Sequence, residues 1–178
     1  MTRPATRPRR ADRPPPPPET CVARAVDALA RRAYARAELG RHLVRKGFTE
    51  EVVAAALDRL AERGYLDDLA YARGFVHSRM TGRAYGPRRV RTELARRGVA
   101  SALVEQILAE REVDVSDDSA GVLGAARRRL NALRGLAPDV AQRRLVGWLV
   151  RRGFGMGESI RTAKSLLAGE RSCVNSED

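Results

Sequence analysis

Ala84-Tyr-Gly-Pro-Arg-Arg-Val-Arg-Thr-Glu-Leu-Ala-Arg-Arg-Gly-Val99 contains a helix together with its start and its stop, and the chain writes this pattern three times. Gly98-Val99 aligns with Gly47-Phe48 and with Gly153-Phe154, and the apolar pair Val90/Leu94 then falls on Leu39/Leu43 and Leu145/Leu149. A recurring apolar pair, a basic last turn and a terminal glycine at intervals of roughly fifty residues are the mark of a structural repeat. Chance similarity among Ala-, Arg- and Leu-rich helices is the competing explanation.

The stops share one piece of physics. With Gly47, Gly98 or Gly153 just past a helix end, Leu43, Leu94 or Leu149 lies four residues before it and Phe48, Val99 or Phe154 directly after. That is a left-handed glycine cap with an apolar contact across it, and glycine serves because it has no Cβ to clash. Gly64, between Leu60 and Tyr65, reads as a fourth helix stop of the same kind. Lys46, Arg97 and Arg152 place a cation at the negative end of each repeated helix.

The bulk properties agree with a helical array. In 178 residues only 4% are aromatic, which favours a thin core of Leu, Val and Ala over one large core. A net charge of +12 and a pI of about 11.1 point to a polyanion or an acidic protein as partner. Cys21 and Cys173 make no CxxC pair and no metal-ligand spacing, so the reduced, cytoplasmic state is expected. The basic start lacks an apolar signal core, and no apolar run approaches the ~20 residues of a membrane span.

Along the chain, Pro14–Pro18 mark residues 1–20 as a disordered basic tail. Residues 21–66 read as a first three-helix repeat. Its first helix buries Val22, Ala25, Val26 and Leu29, its second (about Arg36 to Lys46) Leu39 and Leu43, and its third, capped by Thr49, Val53, Leu57 and Leu60. Residues 67–112 form the second repeat: Asp67 as N-cap, Leu69, Ala72, Phe75, Val76 and Arg79 on a helix, Met80–Gly86 as a loop, Pro87 at the first position of the next helix, and Ser101–Leu108 as the last. Residues 113–119 read as an acidic linker, 120–168 as a third repeat with helices near 122–133, 138–152 and 157–167, and 169–178 as a loose tail. Trp148 neighbours the Leu145/Leu149 seam and reads as packing. The expected fold is all-α: tandem three-helix repeats, three units with about nine helices, in an elongated curved array.

Nothing in the sequence assembles a catalytic centre. His42 and His77 lie on separate helices without a nucleophile at a suggestive spacing, Asp67 and Asp68 lack a third metal ligand, and Gly82 and Gly86 are not followed by Gly-Lys-Ser/Thr. The chain is read as a non-enzyme without cofactor or metal. What stands out is basic helix faces. At 100° per residue, Arg88, Arg89 and Arg96 point away from the Val90/Leu94 seam, as do Arg41 and Arg45 in the first unit and Arg144 and Arg151 in the third. A merely solvated basic face is the plain alternative.

Gly64-Tyr-Leu-Asp-Asp-Leu-Ala-Tyr-Ala-Arg-Gly-Phe-Val76, followed by Arg79, Gly82, Gly86, Arg88, Val90, Glu93-Leu94 and Gly98-Val99, resembles the RecX family. So does Arg36-Ala-Glu-Leu39 with Leu43 and Gly47-Phe48. The resemblance is strong from about Leu29 to Leu108, fainter to about Leu167, and excludes both tails. Ala35 departs from it, standing where the family usually has an N-cap serine. The resemblance implies a cytoplasmic monomer that binds the RecA filament on single-stranded DNA and restrains its ATPase, strand exchange and assembly, in the setting of DNA repair, recombination and the SOS response. DNA itself is a second expected contact. A basic DNA- or RNA-binding protein without a RecA partner is the alternative, and a generic helical scaffold a third.

Replacing Gly98 by Val would force a β-branched residue into the left-handed region, at a cost of about 1–3 kcal/mol. Thermal unfolding should show the loss, whereas an unchanged melting curve would place Gly98 outside the cap.

Overall fold

Glycine and proline punctuate this backbone, and α-helices fill the intervals. A computed structural model describes residues 16–113 and 115–174, and among them the side chains of all but 112–122 and 170–174. Most of the proline-rich tail, and 175–178, lie outside the described residues. Among those described there are nine helices and no strand: α1 (Thr20–Arg31), α2 (Arg36–Val44), α3 (Glu50–Glu62), α4 (Asp68–Arg83), α5 (Pro87–Arg97), α6 (Ser101–Val113), α7 (Val115–Asn131), α8 (Pro138–Arg152) and α9 (Met156–Val174). They divide between Asp68 and Leu69 into two compact units.

In the first unit, Leu39 and Leu43 of α2 are fully buried against Val53, Ala56, Leu57 and Leu60 of α3. The buried stripe of α1 is Cys21, Ala25 and Ala28, while Val26, expected inside, is 40% exposed and Val22 and Leu29 sit at the margin. Small side chains on that stripe let α1 lie close to its neighbours. Gly40 serves the same end on α2, where a Cβ would stand 3.3 Å from Leu57 Cδ1.

Helix starts depend on longer-range partners than the sequence suggests. Ala35 has no side chain to cap α2, and the Arg36 N–H instead donates to Asp68 Oδ1 at 2.7 Å. The aspartate that opens α4 thus takes over the missing cap, an interaction of about 1 kcal/mol. Thr49 stands at the N-cap of α3 without capping a backbone N–H. The Glu51 carboxylate takes its own backbone N–H and the Thr49 hydroxyl, which hold it below the usual carboxylate range.

All four glycines singled out as stops have left-handed backbones: Gly47 at φ 101°, Gly64 at 73°, Gly98 at 85° and Gly153 at 98°. Each donates its N–H to the carbonyl three residues back at 2.9 Å, and the next residue donates to the carbonyl five back, at 2.9–3.4 Å. Phe48, Val99 and Phe154 bury against this turn, but Tyr65 is 60% exposed and Leu66 goes inside in its place. The Gly64 turn therefore repeats the backbone device without the apolar clasp. Gly135, at φ 88°, is a further left-handed turn that the sequence pattern did not mark.

In the second unit, Ala72, Val76, Val90, Leu94, Val99, Val104, Ile107 and Leu108 are buried along α4–α6. Leu145 and Leu149 of α8 are buried with Ala126, Leu130, Phe154 and Ala163. Three segments expected as irregular are helical. Helix α4 continues through Met80–Arg83, because no proline interrupts it before the turn at Ala84, whose φ is 50°. Helix α7 begins at Val115 and takes in most of the expected acidic linker. Helix α9 runs to Val174, with Gly169 tolerated in its interior.

The start of α5 docks on the end of α8. Gly86 N–H donates to the Arg152 carbonyl at 2.8 Å and Arg88 N–H to the Gly153 carbonyl at 3.2 Å. Orphan donors of one helix end thereby satisfy orphan acceptors of another, with their partial charges aligned. The Arg152 guanidinium donates to the Arg83 carbonyl and lies over the rings of Trp148 at 4.7 Å and Tyr85 at 5.7 Å. Trp148 is indeed a packing residue. A Cβ on Gly86 would stand 2.4 Å from the Gly153 carbonyl carbon, and one on Gly153 2.5 Å from the Arg89 backbone nitrogen.

Gly86 has an ordinary φ of −79°, so Gly86→Ala tests contact without backbone strain. It should destabilise the second unit by about 1–3 kcal/mol and speed amide exchange at Arg88. An exchange rate and melting temperature equal to the parent would show that the two helix ends are not packed this closely.

Candidate functional site

Exposed guanidinium groups on α2, α5 and α8 are the chemistry this fold presents. Among the described residues no cluster of His, Cys, Asp and Glu could hold a metal, and no helix is long and apolar enough to cross a membrane. His42 packs beside Tyr34, with ring centroids 5.7 Å apart, and His77 is exposed on α4.

The seven arginines marked from the sequence divide into two kinds. Arg41 and Arg45 are exposed near the end of α2, next to Lys46. Arg88 and Arg96 are exposed on α5, and Arg144 and Arg151 on α8. Arg89 is different: it is half-buried, pairs with Glu93 at 3.2 Å and stacks on Tyr85 at 3.9 Å. A helical wheel treats Arg89 as outward, but the docked end of α8 covers that part of α5. Its guanidinium belongs to the internal junction.

Glu93 is the anionic centre of that region. Besides Arg89 it faces Arg97 at 3.8 Å and Arg79 at 4.0 Å, and its side chain is only 20% exposed. Arg79 and Arg97 also lie over the Phe75 ring, at 5.0 and 4.5 Å. On the outer side of α5, Arg91 clamps Glu105 of α6 with bonds of 2.7 and 2.8 Å, which pull the Glu105 carboxyl below its usual range. The basic composition is therefore partly structural. Sequence reasoning also passed over Arg129 and Arg143, which the fold brings beside Arg144 and Arg151. Arg143 was available as a neighbour on the same helix, whereas Arg129 arrives only through the packing of α7 on α8.

Comparison with known proteins agrees with this architecture. Family models for the first and second three-helix domains of RecX match residues 21–60 and 67–108. The Regulatory protein RecX of Thermobifida fusca is 37% identical over 157 residues, covering 86% of this chain and 84% of the relative. The Regulatory protein RecX of Pseudomonas putida is 48% identical over 90 residues, covering 51% of this chain and 63% of the relative, less than two thirds of its length. The crystal structure of RecX from Lactobacillus salivarius shares the fold with a TM-score of 0.72 at 18% identity, over 85% of this chain and 96% of that one.

His42 reports the electrostatics of the α2 face. Burial, then the nearby charges of Lys46, Arg45 and Arg32, lower its pKa from the ordinary 6.5. A base that is harder to protonate in the fold than in the unfolded chain makes acid destabilising. As pH falls through the unfolded value, the unfolded chain takes up the proton first. An NMR titration should put the His42 imidazole below 6.5, and stability of the first unit should fall as the pH drops through that ordinary value, less so in His42→Gln. A titration midpoint at or above the ordinary value would contradict the geometry.

Proposed function

The chain belongs to the RecX family, and from that premise we propose that it is a negative regulator of RecA, binding the RecA filament on single-stranded DNA and restraining its ATPase, strand exchange and assembly. The observation that carries this reading is the recurrence of exposed arginines on the outward faces of three repeated helices: Arg45, Arg96 and Arg151 at equivalent places, two residues before the glycine stop, with Arg41 on α2, Arg88 on α5 and Arg144 on α8 beside them. Each pair stands opposite a buried apolar seam, so charge at these positions can serve a partner without disturbing the core. The binding faces need no cofactor, and the protein acts by occupying its partner rather than by chemistry of its own.

The test is RecA on single-stranded DNA with ATP. The purified protein should inhibit ATP hydrolysis and strand exchange at concentrations well below those that coat bare DNA. Arg88→Glu with Arg96→Glu replaces two attractions by two repulsions at exposed sites, and should raise the concentration for half-inhibition about tenfold. Arg9→Glu with Arg10→Glu changes net charge equally and should matter far less. Equal effects of the two pairs would mean that overall charge governs binding. Inhibition only at DNA-saturating levels would favour a plain nucleic-acid-binding protein.

A further inference from the structure

Four arginines converge on one cleft of the second unit. Arg129 at the end of α7 and Arg143, Arg144 and Arg151 of α8 surround Gly147, lining a cleft of about 460 Å³. Gly147 forms the floor: a Cβ there would stand 3.3 Å from Arg151 Nη1, so its absence lets that guanidinium lie across the helix. One carboxylate is paired within the set, Asp139 with Arg143 at 3.0 Å, both largely exposed. Arg129 Nε is buried and has no hydrogen-bond partner among the described residues. A buried donor left unsatisfied costs more than a hydrogen bond gains, and like charges brought together cost more again. Four guanidinium groups lining one cleft favour an anionic ligand between them.

The geometry points to the sugar-phosphate backbone of a single DNA strand as that ligand. The planar guanidinium fork matches phosphate oxygens two at a time. Arg144 and Arg151 are two turns apart on α8, about 10 Å at the helical rise, so the row of guanidinium groups can meet neighbouring phosphates of one strand. The cleft is open at its face, so it fits a passing backbone. The inference deepens the reading above and rests on it for the presence of a DNA strand. It adds Arg129 and Arg143 to the binding residues and assigns this cleft to DNA, not to an acidic protein surface.

The experiment omits RecA. Fluorescence anisotropy of a labelled oligo-dT, titrated with the full chain at several salt concentrations, compares the parent with Arg144→Gln/Arg151→Gln and with Arg88→Gln/Arg96→Gln, which changes net charge equally. The cleft pair should lose roughly tenfold in affinity, and its log-affinity against log-salt slope should flatten by about 1.4, the share of two phosphate contacts on a single strand. The α5 pair should change either quantity much less. Circular dichroism checks folding, and Arg144→Lys/Arg151→Lys, which keeps the charge, should recover the slope but only part of the affinity. Unchanged binding by the cleft pair, or equal losses in both pairs, overturns the assignment. So does a cleft variant that binds DNA normally but no longer inhibits RecA, which would place an acidic protein in the cleft. A parent chain that binds oligo-dT through the cleft yet fails to inhibit RecA would overturn the regulatory reading and leave this one standing.

Discussion

A single glycine in the left-handed region, placed after a helix whose last inward leucine is fully buried, is the constraint on which this architecture depends. At Gly47, Gly98 and Gly153 it reverses the chain within one residue and lays an apolar side chain over the helix end. Leu43, Leu94 and Leu149 are then almost wholly removed from water, each contributing about 1.5–3 kcal/mol. In a chain with so few aromatic residues, the core consists of such small, repeated burials. A side chain at any of these glycines both strains the turn and displaces the next residue from its seat.

Gly153 carries a second duty. It ends α8 and also accepts the start of α5 so closely that no Cβ fits. The junction joins backbone to backbone, with Arg89, Arg152 and Tyr85 clasped around it. It fixes the exposed arginines of α5 relative to those of α8 within the second unit. One pair of glycines thus sets both the packing of the junction and the placing of the arginines around it.

Local chemistry was legible in the sequence, and distant backbone approach was not. The helix stops, the Leu39/Leu43, Val90/Leu94 and Leu145/Leu149 seams and the proline at the start of α5 rest on neighbouring residues, and the sequence states them directly. The exposure of Tyr65 was hidden because Leu66 competes for the same pocket and wins. The cap on α2 was hidden because Asp68 comes from 32 residues away. Gly86 resembled a loop residue until α8 appeared against it. Among the arginines, periodicity found the outward direction on each helix but could not see that Arg89 is covered, or that Arg129 reaches Arg144 from another helix.

Charge completes the picture. Glu93, Glu105 and Asp139 pair with part of the basic surface. On the function proposed above, the repeated helix faces, and not the total positive charge, recognise the RecA filament. Hydrogen–deuterium exchange of the full chain, alone, with single-stranded DNA and with the RecA filament on that DNA, tests it most directly. The account predicts that the filament protects amides of α2, α5 and α8 beyond the protection given by DNA alone. Identical protection by filament and bare DNA, or none on these helices, would contradict it.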